Sequence, residues 1–201
     1  MTGSGKSTLL RLIYMDILPS GGVVKVGKWS SYRITPRQIN LLRRNIGVVF
    51  QDFKLIENMS VFDNVSLPLV IEGYRRKYVK RVVNTLLDEV SLLHCGDQRA
   101  STLSLGEKQR VAIARAMTRN PFIVIADEPT GNLDREASEN VLSLLQRIHG
   151  NGTSVLTATH DYELIKDTPY KRIYMENGQV LPPDRTMNIG KQRIRLLTKQ
   201  E

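Results

Sequence analysis

Two stretches of this sequence carry residues whose types and spacing suit phosphate chemistry. The first is Gly3-Ser4-Gly5-Lys6-Ser7-Thr8, which runs directly into an apolar segment, Leu9-Leu10-Arg11-Leu12-Ile13. A glycine-rich loop opening a helix turns backbone N–H groups around an anion, and the helix N-terminus adds a favourable dipole. In that pattern Gly3, Ser4 and Gly5 form the cradle and Lys6 reaches the β- and γ-phosphates. The Ser7 hydroxyl ligates Mg²⁺, and Thr8 adds a phosphate hydrogen bond. The second stretch ends in adjacent acids, Asp127 and Glu128. One acid there can hold Mg²⁺ while its neighbour takes a proton from an attacking water. The plainer alternative is a strand-capping Asp127 beside a solvated Glu128, and the phosphate-type loop weighs against it.

The elements around these residues must place them together. Ser104-Leu105-Gly106 forms a polar turn that opens an amphipathic helix, and Asn120-Pro121 stops that helix. The apolar run 122–126 then reads as a buried parallel strand. Its C-terminal end delivers Asp127 and Glu128 to the edge where open α/β sheets bind ligands. A second apolar strand, 46–50, ends at Gln51, and a third β-prone run, 154–159, ends at His160. Thr35-Pro36 starts a short helix that finishes at Arg43-Arg44, and 137–148 is another amphipathic helix closed by Gly150-Asn151-Gly152. Asn177-Gly178 predicts a tight hairpin turn near the end.

Taken together, Ser104 to Gly106, Asp127-Glu128 and Leu133-Asp134 resemble the signature motif, Walker B and D-loop of ATP-binding-cassette (ABC) ATPases. The sequence departs from the usual pattern at Leu105, where the family has a second glycine, and at Glu107, where it often has Gln. The resemblance implies a P-loop NTPase (ABC ATPase) α/β core with a parallel sheet, an inserted helical subdomain and its first strands missing. It divides the chain into 1–55 (first part of the core), 56–102 (helical subdomain), 103–182 (second part of the core) and 183–201 (a basic tail, polar or a short helix). Gln51 then sits in the Q-loop, reaching Mg²⁺ or the attacking water, and His160 is the switch histidine that contacts the γ-phosphate. Catalysis falls to Glu128, His160 and Gln51, and metal binding to Ser7, Gln51 and Asp127. Ser104, Gly106 and Asp134 close over ATP held by the opposite subunit of a head-to-tail homodimer.

The run Phe50-Gln51-Asp52-Phe53-Lys54-Leu55 resembles the cell-division subgroup of this family. Such a subunit couples ATP hydrolysis, with Mg²⁺, to an FtsX-like integral membrane protein and sits peripherally at the inner, cytoplasmic face of the membrane. Asp-Glu-Pro-Thr-Gly-Asn-Leu-Asp at 127–134 is shared with lipoprotein-releasing and macrolide-exporting relatives, so those functions stay open. A nucleotide-dependent docking module with little hydrolysis stays open too. The full phosphate-loop pattern needs a glycine ahead of Met1 and a strand leading into it. The chain therefore reads as N-terminally truncated, and strands beside the loop are expected to lack backbone partners, at about 1–3 kcal/mol for each buried unpaired group.

Composition narrows the alternatives. With 201 residues, 41% hydrophobic and 24% charged, the sequence is that of one α/β domain with a sizeable core. No apolar run approaches the roughly 18 residues of a membrane span, and no basic-then-apolar leader opens the chain. Cys95 is the single cysteine, which excludes an internal disulfide. The net charge is +9, concentrated at 74–81 and 185–199. That balance by itself allows nucleic acid, a nucleotide or an anionic membrane surface, or simply a solvated helix face and tail. Nucleic acid is not expected, because zinc-ligand spacing and RNA-binding signatures are missing and no heptad run marks the chromosome-maintenance branch.

Overall fold

Three buried strands carry the architecture: β3 (Ile46–Val49), β4 (Ile123–Asp127) and β5 (Ser154–Thr159). Their β-branched and small residues alternate between two hydrophobic clusters, as strands covered on both faces must. Val124, Ala126 and Val155 face one cluster, while Ile125, Leu156 and Ala158 face the other. The computed structural model describes residues 4–181 and the backbone of residues 193–197.

The first cluster lies under α5 (Leu105–Met117) and α6 (Arg135–Gly150), and continues into α3 (Val61–Ile71) and α4 (Arg76–Glu89). The second is closed by α1 (Lys6–Ile13) and α2 (Pro36–Arg44). Helix starts follow the sequence signals. Thr35 and Gln38 form a capping box with Pro36 in the first turn, and Asp134 accepts from Ala137 N at 2.8 Å to cap α6. Packing of α5 on β3 is close enough that a β-carbon at Gly47 would lie 2.6 Å from the Ala116 carbonyl oxygen.

A two-residue ladder joins β1 (Lys25–Val26) to β2 (Trp29–Ser30), and Trp29 stacks on Phe122 with ring centres 6.0 Å apart. Residues between β3 and α5 form the α3–α4 pair. There the amide of buried Asn64 bonds both the N–H and the carbonyl of Ile56, at 2.8 and 3.0 Å, and so pins the loop before α3. Cys95 is buried, and burial pushes its thiol pKa up, which suits a passive core residue.

Among the described residues the sheet has six strands in the order β3-β4-β5-β8-β6-β7, with β6 at Arg172–Glu176, β7 at Gln179–Leu181 and β8 at Arg193–Leu197. The expected parallel sheet is present as β3, β4 and β5; the remainder is antiparallel. A short helix α7 (Tyr162–Ile165) connects the two parts. The basic tail corrects the expectation of a polar extension or helix, because 193–197 form a strand. Ile194 stands opposite both Ala158 and Ile173, so β8 supplies backbone partners to β5 and β6 together. The strands beside the phosphate-type loop therefore do not lack partners. Alternation of Arg and Ile/Leu along 193–196 is the sequence feature that allows this.

Candidate active site

Parallel register decides which residues meet. Val49 pairs with Ala126 and Asp127 with Ala158, so the three strands end at one level. The residues just beyond them, Gln51, Glu128 and His160, share that edge.

Below it lies the glycine-rich loop. Gly5 takes φ 89° at the N-cap of α1, a left-handed conformation that favours glycine. A β-carbon there would also stand 3.3 Å from the Gly178 α-carbon. The type I′-like turn at Asn177-Gly178 (φ 48° and 78°) thus supports the loop, and Gly178 N donates to the Ser4 carbonyl at 3.2 Å. Ser4 is buried, and Ser7 and Thr8 stand exposed in the first turn of α1. No side chain caps that turn. Among the described residues no side chain competes for its N–H groups, which with the helix dipole suit an anion. Gly3 lies outside the described residues.

Lys6 connects the loop to Glu128. Its Nζ donates to Ser4 Oγ at 3.2 Å and stands 3.8 Å from Glu128 Oε1. Glu128 has φ 46°, unusual for a residue with a side chain, and its N–H donates to Ala158 O at 2.8 Å. The other carboxylate oxygen of Glu128 accepts from the backbone N–H of His160 at 3.1 Å and lies 2.8 Å from His160 Nδ1. The Glu128 side chain is 12% exposed against 60% for His160, so a nearly enclosed carboxylate faces an open imidazole. Glu128, His160, Gly131 and Leu133 line a cleft of about 830 Å³.

Asp127 differs from its neighbour. Its Oδ1 is buried without a hydrogen-bond partner among the described residues. A buried carboxylate oxygen needs a cation or donor, and Mg²⁺, which takes oxygen ligands, fits that need. Among the described residues there is no cluster of three or more His, Cys, Asp or Glu.

Gln51 is exposed, and its Nε2 lies 3.3 Å from where a β-carbon on Gly131 would sit. Its carbonyl accepts from Asn132 Nδ2 at 3.2 Å. The turn after it holds two successive left-handed residues, Phe53 (φ 59°) and Lys54 (φ 48°), whose carbonyls both accept from Arg115.

Ser104, Gly106 and Asp134 are brought together elsewhere, lining a separate cleft of about 420 Å³ with Leu105, Asn132 and Leu133. Leu133 belongs to both clefts, so they adjoin without merging. Leu105 is 49% exposed and does not fill the cleft as core. Gly106 also has a packing reason to be glycine, because a β-carbon there would meet the Ala137 β-carbon at 3.1 Å. Glu107 closes a capping box: its Oε2 accepts from Ser104 N at 2.8 Å and Ser104 Oγ at 2.7 Å. Those bonds hold the Glu107 carboxyl below its usual pKa. Ser104-x-x-Glu107 was the available sequence signal for that role. Arg115 and Asn132 had none, since their partners lie 61–62 and 81 positions away.

Known proteins resemble this chain over most of its length. Residues 1–131 match the family model described as ABC transporter. The chain belongs to the ABC transporter family. It is 41% identical over 180 residues to the cell division ATP-binding protein FtsE of Streptococcus pneumoniae serotype 2, covering 90% of this chain and 78% of that relative. FtsE of Escherichia coli K12 is likewise 41% identical, over 89% of this chain and 81% of its own length. Among solved structures, a dimeric bacterial ABC transporter cassette superposes with TM-score 0.79 at 34% identity, over 90% of this chain and 81% of that one. A dimeric cassette in a post-hydrolysis state with ADP and Pi gives TM-score 0.78 at 32% identity, over 89% and 79%. The chain is thus an ABC-type ATPase that binds nucleotide, with the P-loop NTPase fold expected of that family.

Proposed function

We propose that this chain is the ATP-hydrolysing subunit of an FtsE-like cell-division complex, with Lys6, Glu128 and His160 as the core of its site. The single observation that carries the proposal is Glu128, nearly enclosed, within 3.8 Å of Lys6 and 2.8 Å of His160 at the mouth of the glycine-rich loop. The loop N–H groups around Ser4 and Gly5 and the first turn of α1 hold the ATP phosphates, with Lys6 neutralising the β- and γ-oxygens and Thr8 adding a hydroxyl donor. Bound Mg²⁺ would supply charge neutralisation at the phosphates, and Ser7, Gln51 and Asp127 are the residues that would hold it. Glu128 accepts a proton from water as its oxygen attacks the γ-phosphorus, while the bond to the β–γ bridging oxygen breaks and ADP leaves. His160 holds the Glu128 carboxylate in place and presents its open ring edge to the γ-phosphate.

Ser104, Gly106 and Asp134 line a cleft apart from Lys6 and Glu128, which supports their use on nucleotide bound by a second copy in a head-to-tail dimer. The membrane partner, an FtsX-like protein at the inner face of the membrane, is supported by the surface of α4. There Arg75, Arg76, Lys77, Lys80 and Arg81 are all exposed beside the stacked pair Tyr74 and Tyr78. Basic side chains interleaved with aromatic rings suit an interface with protein and anionic headgroups. Among the described residues, no helix is long and apolar enough to cross a membrane itself.

The experiment is phosphate release from MgATP by the purified chain, alone and with its membrane partner, compared with Lys6→Ala. Turnover that survives Lys6→Ala, with the chain folded, removes this site from the reaction.

A further inference from the structure

The described structure holds the loop after Gln51 by two side chains, both reaching from elements that carry the second cleft. Arg115, on the helix α5 that begins at Ser104, donates one guanidinium N–H to the Lys54 carbonyl and another to the Phe53 carbonyl at 2.7 Å. Asn132, two residues before Asp134, donates to the Gln51 carbonyl itself. Between these anchors Phe53 and Lys54 hold consecutive positive φ values of 59° and 48°. A left-handed conformation at a bulky residue such as Phe53 is costly, and persists only where the surroundings over-determine it. Among the described residues no carboxylate pairs with Arg115, so its charge is committed to these two carbonyls. A planar fork with fixed donors suits two adjacent acceptors, and a lysine in its place provides no such fork.

We infer that Arg115 is a positioning residue for Gln51: by clamping the left-handed Phe53–Lys54 turn it makes the placement of α5 set the placement of Gln51. The inference rests on Gln51 serving the nucleotide site, as proposed above. Its consequence is that an ATP contact made at the Ser104 end of α5 is reported along one rigid helix to Gln51 of the same subunit. No contact between Ser104 and Gln51 is needed, because the helix and the guanidinium are the link.

The test is a double-mutant cycle in the full chain, using Arg115→Met, Arg115→Lys and Gln51→Ala. Arg115→Met is expected to lower kcat by ~10–100-fold, the scale of misplacing a reacting group by about 1 Å, with ATP affinity held within about threefold. Combined with Gln51→Ala it should cost little beyond the single variants, since both act through one side chain. Additive losses, or a fall in ATP affinity matching the fall in kcat, overturn the inference. If Arg115→Met does not fold, Arg115→Lys runs the same cycle, with wild-type kcat as its overturning result. Hydrogen exchange reads the clamp without any reference to turnover. Arg115→Lys should speed exchange at the Phe53 and Lys54 amides and leave the middle of α5 unchanged. Unchanged exchange at 53 and 54 overturns the inference, whereas faster exchange there beside an active Gln51→Ala protein leaves the clamp standing and removes only the role of Gln51.

Discussion

Glu128 Oε2 receives the backbone N–H of His160 at 3.1 Å and lies 2.8 Å from Nδ1 of the same residue, so one carboxylate oxygen is held twice by one partner. The other oxygen faces Lys6. This arrangement aims the acid while leaving the imidazole largely in solvent. Replacing Glu128 by Gln keeps an oxygen to accept the His160 N–H but cannot take up a proton. Steady-state phosphate release should therefore fall by ~10²–10⁴-fold while ATP binding persists. Binding measured with a fluorescent ATP analogue separates the two effects, and near-normal turnover would remove Glu128 as general base.

Asp127 predicts a different loss. Its buried Oδ1, without a partner among the described residues, suits a cation, and Asn offers a neutral amide in the same space. Asp127→Asn should raise the Mg²⁺ concentration needed for half-maximal turnover by ~10-fold or more, since even outer-shell changes at metal sites reach that size. A Mg²⁺ titration at fixed ATP checks it. An unshifted midpoint assigns the metal elsewhere.

Gly47 tests the packing beneath the site. A methyl group there meets the Ala116 carbonyl oxygen at 2.6 Å, where backbone lies on both sides and cannot swing aside. Gly47→Ala should cost about 1–3 kcal/mol as overpacking. For a domain of this size each kcal/mol lowers Tm by roughly 2–4 °C. Calorimetry of the two proteins measures the shift, and equal melting would mean that α5 stands further from β3 than the structure places it.

Glu107 gives a pH signature. The Ser104 side-chain and backbone donors hold its folded pKa below the ordinary 4.5, so the unfolded chain binds more protons than the native one as acid is added. Its contribution to stability is complete above that ordinary value and is lost as pH falls through the depressed one. Glu107→Gln retains an acceptor for Ser104 N but does not titrate. The Tm advantage of the wild type over Glu107→Gln should thus shrink as pH is lowered from about 5 toward 3. An advantage that stays constant with pH assigns the difference to something other than this carboxylate.

Much of this protein was determined by its sequence alone, because the relevant physics is local. Gly5-Lys6-Ser7 before an apolar run dictates an anion-binding helix start, since only short-range backbone geometry is involved. Thr35 to Gln38 and Asn177-Gly178 likewise specify a helix cap and a hairpin turn within four residues. The apolar run before Asp127-Glu128 was legible as a buried strand for the same reason. Tertiary structure decided what those pieces do together. Glu128 and His160 are 32 positions apart, and only the parallel register of β4 with β5 makes them neighbours. Arg115 reaches carbonyls 61 and 62 positions away, and no periodicity along α5 marks it out from its other arginine, Arg110. The strand at 193–197 shows the same limit, because a run of alternating Arg and Ile/Leu becomes a central strand only where β5 and β6 offer facing backbone groups. Backbone pairing and side-chain reach across the fold depend on register, and register is a property of the assembled sheet that local patterning does not carry.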